Sequence, residues 1–121
     1  MENDKVIAII LELLGNKKAK ASKPIGSELI GKWVIVRTLS AGVHFGQLSE
    51  RRGQEVVLTS ARRIWNWYGA KTLNEMSVAG VDATRSKIAQ TIPYQLLTQA
   101  IEVIPCSAEA ITNLQVAKWT A

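Results

Sequence analysis

The segment between Ser60 and Gly69 carries the side chains best suited to ligand chemistry: two arginines, two tryptophans, an asparagine and a tyrosine. Aromatic rings stack on nucleobases and guanidinium groups form forked hydrogen bonds with phosphates, so this mixture is typical of nucleotide binding. In a regular strand, one side would present Arg63, Trp65 and Trp67, and the other Arg62, Ile64, Asn66 and Tyr68. The alternative, which the physics alone favours, is that both tryptophans fill the core while the arginines form salt bridges or extend to solvent.

Two further positions could add polar contacts to such a site. His44 lies next to Phe45-Gly46, where a glycine lets a ligand approach the backbone, and its imidazole could donate to a phosphate or a ribose hydroxyl. Arg85, Ser86 and Lys87 form a predicted loop that could close over an anion, although an ordinary polar loop has the same sequence. The candidate ligand-binding residues are therefore His44, Arg62, Arg63, Trp65, Trp67, Arg85, Ser86 and Lys87.

The sequence gives little support for catalysis or metal binding. His44 is the only histidine, and no carboxylate pair or cysteine stands near it in sequence to suggest a triad or a metal cluster. Cys106 is the only cysteine, so one chain cannot build a thiolate metal site. The glycine-rich phosphate loops of ATPases and dinucleotide enzymes are missing from the sequence. We expect a binding protein with no catalytic residue, metal or cofactor, while hydrolysis by carboxylates that meet only in space stays open.

Composition predicts one globular core, and the net positive charge favours an anionic partner. The 121 residues are 47% hydrophobic and 21% charged, with a formal charge of +5, although a solvated lysine face would give the same charge. The longest apolar run, within Val6–Leu14, is broken by Glu12 and is too short to span a membrane. Because the amino terminus lacks the pattern of a secretory signal, we expect a cytoplasmic protein without membrane contact.

The amino-terminal residues are predicted to form a unit separate from the core. An amphipathic helix is expected over residues 3–14, packed either on the core or, as we favour, on a partner subunit. The lysine-rich residues 16–23 have no apolar pattern and indicate a linker or mobile arm. The chain therefore divides into residues 1–23, a helix with a basic linker, and residues 24–121, a β-rich ligand-binding core.

Within the core, apolar residues with a period of two predict strands over residues 32–38, 43–49, 55–59 and 62–68. Further extended segments are expected over 87–92 and 100–104, with Tyr94–Thr98 as the connection. Thr72 and Glu75 form a capping box for a short helix that ends at Gly80, and Ser107 begins a last helix. The predicted fold class is α+β, with a mostly antiparallel sheet or small barrel, an N-terminal helix and short helices at the ends.

Two stretches of this core resemble a family of phage proteins. They are VIVRTLSAGVHFG at residues 34–46 and ARRIWNWYGA at residues 61–70. The likeness continues through Thr72–Glu75, Ile92–Pro93 and residues 100–106, so it covers roughly residues 32–106. That family is similar to the first type of Thoeris anti-defence protein, and the amino-terminal helix and linker match it less closely.

The resemblance implies a phage protein in the host cytoplasm that acts as a sponge for a nucleotide second messenger. Members capture glycocyclic ADP-ribose, made by Thoeris TIR-domain enzymes, without degrading it, and some also hold cyclic trinucleotides of the CBASS defence at separate sites. The resemblance further implies a homo-oligomer, a dimer or hexamer, with the pocket near a subunit interface. Such a sponge lowers the free messenger by mass action and slow release.

Two other functions fit the same residues. Basic charge combined with aromatic strands is also typical of small domains that bind single-stranded nucleic acid. A structural phage protein that uses the amino-terminal helix as its contact is the third possibility. The salt dependence of binding distinguishes a nucleic-acid-binding domain from a sponge, because non-specific strand binding weakens steeply as the salt concentration rises.

Overall fold

The computed structural model describes residues 25–119, which form an antiparallel sheet with two α-helices and one 3₁₀ turn. The strands are β1 (Trp33–Thr38), β2 (Val43–Arg52), β3 (Glu55–Asn66), β4 (Lys87–Ile88), β5 (Ile92–Leu97) and β6 (Ala100–Pro105). The helices are α1 (Leu73–Ala79) and α2 (Ala108–Val116), and the 3₁₀ turn spans Ser27–Leu29. The fold is α+β, as predicted. Of the two predicted architectures, a mostly antiparallel sheet and a small barrel, the structure has the open antiparallel sheet. The predicted helix over residues 3–14 and the linker over 16–23 lie outside the described residues.

The sheet is curled, so that two of its edges come close together. The edge strands β5 and β6 are consecutive in the sequence. The strand order is β4-β3-β2-β1-β6, and β5 pairs with the first half of β3 while β4 pairs with its end. Only Thr98 and Gln99 connect β5 on one edge to β6 on the other. The Leu39 amide donates to Gln99 O (2.9 Å) and the Ala100 amide to Gln54 O (3.0 Å), so this short connection is tied to two other turns.

β3 is one continuous strand, whereas the sequence predicted two strands, over residues 55–59 and 62–68. Ser60 has a φ of 48°, and the pairing of β3 with β2 shifts register between Phe45 and Gln47. Gly46 lies opposite this bulge, where a Cβ would be 3.0 Å from Thr59 O. The bulge interrupts the period of two without ending the strand, which explains why the pattern indicated a break.

The prediction of a connection over Tyr94–Thr98 is wrong, since β5 covers most of it. Pro93 suggested an interruption, but β5 is an edge strand, where a missing N–H costs no ladder hydrogen bond. The strand expected over residues 87–92 is also shorter and ends at Ile88. The carbonyls of Ile88 and Ala89 accept hydrogen bonds from the Arg62 guanidinium instead of continuing as a regular ladder.

Two hydrophobic clusters lie on the two faces of the sheet. The first joins the sheet to the helices and consists of Ile35, Phe45, Ile64, Met76, Val81, Ile88, Leu114 and Ala117. The second fills the inside of the curl and consists of Val34, Val36, Leu48, Val56, Leu58, Ala61 and Leu97, with Leu29 packed against it. Both faces of β1 are therefore buried, as expected of a central strand.

The predicted helix caps are confirmed at both helices. Thr72 Oγ1 accepts from the Glu75 amide (3.1 Å), and Ser107 Oγ accepts from the Ala110 amide (3.1 Å). The Glu75 carboxylate accepts from the Lys71 amide (2.9 Å), one residue before the position that a standard capping box uses. These contacts fix the helices whose apolar sides cover the first cluster.

Replacing Gly80 by alanine is expected to lower the free energy of unfolding by about 2–3 kcal/mol. Gly80 ends α1 with a φ of 79°, and an added Cβ would overlap the side chain of Asn113. Asn113 cannot yield easily, because it pairs with both the amide and the carbonyl of Val81 (2.8 Å each). Urea denaturation should show a smaller loss for Gly42→Ala, where φ is 83° and a Cβ meets nothing within 4 Å. Equal losses at the two glycines would contradict the steric explanation.

Candidate functional site

An exposed pair of stacked tryptophans with a lysine above them is the most distinctive surface feature. The rings of Trp65 and Trp119 lie 5.3 Å apart between centroids, with their planes 20° apart. The Lys87 ammonium is 5.3 Å from the Trp65 centroid and 5.8 Å from the Trp119 centroid. Trp65 is 59% and Trp119 is 44% exposed, so neither ring is used up by the core. We call these three residues the tryptophan patch.

The patch is held by elements that the core fixes in place. Trp65 alternates with Ile64 on β3, and Lys87 alternates with Ile88 on β4. Since Ile64 and Ile88 are paired and buried in the first cluster, Trp65 and Lys87 extend from the other side of the strands. Trp119 follows α2, whose last turn is anchored to β3 by hydrogen bonds from Arg62 to Leu114 O and Gln115 O.

Arg63 and Arg85 are the other predicted cations that lie at the surface. Arg63 shares the Trp65 side of β3 and is exposed. Arg85 lies over the Tyr68 ring, with its guanidinium carbon 4.4 Å from the centroid. It also lies 4.0 Å from a carboxylate oxygen of Asp82, a side chain whose pKa is lowered mainly by hydrogen bonds from Thr84. Arg85 and Tyr68 therefore form a second aromatic and cationic pair, in which Arg85 lies two residues before Lys87 and Tyr68 two residues after the end of β3.

Arg62 is buried and serves the fold instead of the surface. It is 6% exposed and donates to four backbone carbonyls: Ala89 O (2.7 Å), Leu114 O (2.8 Å), Ile88 O (3.1 Å) and Gln115 O (3.2 Å). Burial lowers the pKa of the guanidinium, but arginine keeps its charge in proteins. Since two acceptors belong to the end of α2, the cation also meets the negative end of the helix dipole. The sequence analysis proposed Arg62 as a ligand contact, whereas the structure places its guanidinium in contact with these backbone carbonyls.

His44 and Ser86 are also withdrawn from the surface. His44 is completely buried and donates from Nε2 to Ala41 O at 2.8 Å. Its Nδ1 has no hydrogen-bond partner among the described residues. Ser86 is 2% exposed and accepts from the Tyr68 amide at 3.0 Å, which holds its loop against the segment that follows β3. Neither side chain faces solvent where a ligand could reach it.

The stability of the protein is expected to fall as the pH decreases below 6.5, the ordinary pKa of histidine. Burial lowers the pKa of His44 most, and the Arg63 cation lowers it further, against the opposing hydrogen bond to Ala41. The unfolded chain then binds more protons than the folded one below 6.5, so the contribution of neutral His44 is present above that pH and is lost below it. Urea denaturation across this range should show a smaller pH slope in His44→Gln. An unchanged slope in that variant would rule out His44 as the cause.

The predicted residues thus separate into two groups. Trp65, Lys87, Arg63 and Arg85 are at the surface, whereas Arg62, His44 and Ser86 are buried. Trp67 is half-buried and packs against the first cluster, as the core interpretation predicted for both tryptophans. Trp119 was missed by the sequence analysis, although the only aromatic residue after Tyr94 in the sequence was a usable signal.

The described residues offer few groups for catalysis near this surface. Residues 25–119 contain no cluster of three His, Cys, Asp or Glu side chains that could hold a metal ion. Burial raises the pKa of the Cys106 thiol to about 12, so the thiolate nucleophile is scarce at neutral pH. In the same part of the chain, no helix is long and apolar enough to cross a membrane.

The fold and the patch define an α+β protein with an exposed aromatic and cationic surface. Residues 31–114 match the family described as Domain of unknown function (DUF6948), and the chain belongs to this family. Neither a curated protein nor a solved structure matches the chain. The matched residues include Trp65 and Lys87 and end before Trp119.

Proposed function

We propose that this protein binds a nucleotide at the tryptophan patch and sequesters it without breaking it. The observation that carries the proposal is the exposed Trp65–Trp119 stack with the Lys87 ammonium above both rings. A nucleobase stacks on an indole, and a lysine or arginine near it attracts the phosphates. Arg63 supplies a second cation, which is exposed and extends from the same side of β3 as Trp65.

The chemistry around the patch supports capture without turnover. The histidine that could act as a general base is completely buried with its Nε2 engaged, and the Cys106 thiol keeps its proton. Lysine and arginine stabilise phosphate charge but are poor general bases at neutral pH, because their pKa values lie far above it. A ligand held by these groups would be released unchanged.

The resemblance to Thoeris anti-defence sponges supplies the ligand that we propose, glycocyclic ADP-ribose, with cyclic trinucleotides as a further class. Both contain an adenine or another base for stacking and phosphates for Lys87 and Arg63. Sequestration would inhibit Thoeris immunity, and CBASS immunity if cyclic trinucleotides bind, in the cytoplasm of an infected host. Inhibition then depends on the protein exceeding the messenger in concentration and releasing it slowly.

The proposal is tested by loading the full-length protein with purified messengers. Glycocyclic ADP-ribose isomers and cyclic trinucleotides are each incubated with the protein, free ligand is removed, and the complex is denatured by heat. We expect at least one messenger to be retained and recovered intact by mass spectrometry. Degraded messenger would indicate an enzyme, and no retention of any messenger would overturn the proposal.

A second candidate function, single-stranded nucleic-acid binding, is favoured by the openness of the patch. Trp65 and Tyr68 are exposed on the same stretch, with Lys87 and Arg85 beside them, which resembles a stacking surface for successive bases. Fluorescence anisotropy with a labelled oligonucleotide separates the two functions. Strand binding should weaken steeply between low and physiological salt, whereas a protein selective for a small messenger should leave the oligonucleotide free at both.

A further inference from the structure

We propose that a cavity on the helix-covered side of the sheet binds a small aromatic carboxylate. The cavity has a volume of about 220 Å³, and its lining residues are Trp33, Phe45, Ser60, Arg62, Thr91 and Gln115. Trp65 and Lys87 extend from the other side of their strands, so the cavity is separate from the tryptophan patch. The inference is independent of the nucleotide proposal, because none of the lining residues belongs to the patch.

The cavity is lined by a buried cation that has a hydrogen-bond donor to spare. Arg62 is 6% exposed and forms four hydrogen bonds to backbone carbonyls. A guanidinium has five N–H groups, so at least one lacks an acceptor among the described residues. Buried charges in proteins are paired with an opposite charge, yet no carboxylate in residues 25–119 forms a salt bridge with Arg62. An anion in the cavity would supply that counter-charge.

The cavity also has neutral donors that the fold leaves unused. Ser60 and Thr91 each carry a hydroxyl and Gln115 an amide, and none of these side chains forms a hydrogen bond within the part of the chain that the structure describes. Ser60 has a φ of 48°, a conformation that is strained for residues other than glycine. The chain therefore carries a hydroxyl beside the cavity at a cost in backbone energy.

The charge and the number of donors around the cavity match a carboxylate. The lining contains one arginine and no acidic side chain, so a single negative charge balances it. The two oxygens of a carboxylate offer about four acceptor positions. Four side chains of the lining can donate to them, namely those of Ser60, Arg62, Thr91 and Gln115.

The aromatic wall and the volume of the cavity define the rest of the ligand. Trp33 stacks on Phe45, with the ring centroids 5.2 Å apart and the planes at 19°, and this contact fixes the indole at the wall. A planar apolar group can pack against such a wall. Since liquid water occupies about 30 Å³ per molecule, the cavity holds a group of roughly seven to ten heavy atoms. An aromatic monocarboxylate has this size, whereas glycocyclic ADP-ribose and cyclic trinucleotides are several times larger.

The site is tested with benzoate and the ¹⁵N-labelled full-length protein, through the indole N–H signal of Trp33, which Trp33→Phe assigns. We expect benzoate to shift this signal with a dissociation constant of about 10 mM or lower, while the Trp65 signal stays near its free position. Benzamide has the same shape without the charge and should bind at least about 10-fold more weakly, because charge-assisted hydrogen bonds are the stronger ones. Inorganic phosphate lacks the planar group and should also bind more weakly than benzoate.

Two variants test the site while leaving Arg62 in place. Gln115→Glu puts a carboxylate beside the cavity and should raise the dissociation constant of benzoate at least about 10-fold by like-charge repulsion. Its matched control is Gln54→Glu, the same charge change on the exposed β2–β3 turn, which should bind like the wild type. Ser60→Gly removes one donor and relaxes the backbone, so it should bind benzoate about 3- to 10-fold more weakly without losing stability in urea.

Four results would overturn this assignment. An unmoved Trp33 signal at about 50 mM benzoate, five times the expected constant, would show that the cavity does not bind it. Equal affinity for benzamide would contradict an anion site, and tighter binding of phosphate at Trp33 would contradict the ligand class. Wild-type affinity in Gln115→Glu would place the benzoate elsewhere on the chain. None of these measurements uses a nucleotide, so the two proposals fail separately.

Discussion

Arg62→Met is expected to lower the free energy of unfolding by about 3–5 kcal/mol, a large share of the stability of a domain of this size. Methionine matches the length of the arginine stem but donates no hydrogen bonds. The variant would leave the carbonyls of Ala89, Ile88 and Leu114 without the donor they have in the wild type, in a region that the protein buries. It would also detach the end of α2 from β3.

The adjacent arginine provides a matched control for this prediction. Arg63 is exposed, and no salt bridge or side-chain hydrogen bond engages it within residues 25–119, so Arg63→Met should change stability by no more than about 0.5 kcal/mol. Both variants are compared with the wild type by urea denaturation at neutral pH. A stable Arg62→Met protein would show that water or neighbouring groups replace the guanidinium, contrary to the role assigned to it.

Trp65→Ala is expected to weaken nucleotide binding by about 10- to 100-fold, because stacking of a base on an aromatic side chain contributes about 1–3 kcal/mol. The substitution removes one ring of the patch and also frees Trp119 from its partner. Isothermal titration calorimetry with the messenger retained in the loading experiment measures the effect. Since Trp65 is 59% exposed, the variant should fold normally.

The control for this prediction is Trp67→Phe, two residues further along the chain. Trp67 is half-buried against the first cluster, and phenylalanine keeps an aromatic ring there, so nucleotide affinity should stay within about twofold of the wild type. A loss of nucleotide affinity in Trp67→Phe, combined with normal binding in Trp65→Ala, would show that the site lies on the inner side of this segment and not at the patch. The tryptophan patch would then have no role in capture.

Local patterns in the sequence predicted much of the fold. The period of two identified β1 and β2, and side-chain oxygens at Thr72 and Ser107 identified the starts of both helices. These features depend on residues within one element, so they can be read without knowing the tertiary structure. The interruptions at Ser60 and Pro93 were misinterpreted because a bulge and an edge position are properties of the assembled sheet.

The roles of the site residues depended on contacts distant in sequence. Arg62 and Leu114 are 52 residues apart, and nothing in the segment around Arg62 indicates that a helix end would bury its guanidinium. Trp65 and Trp119 are similarly separated, so the stacked pair could not be predicted from the aromatic segment alone. Sequence reasoning selected the segment that contains Trp65 but could not assign which of its alternating side chains face solvent.

The most direct test of nucleotide capture at the patch uses the indole N–H signals of the four tryptophans in ¹⁵N-labelled full-length protein. Titration with the retained messenger should shift the signals of Trp65 and Trp119, assigned by substitution, while those of Trp33 and Trp67 stay close to their free positions. Shifts confined to Trp33 and Trp67, or no shift at saturating messenger, would contradict binding at the tryptophan patch.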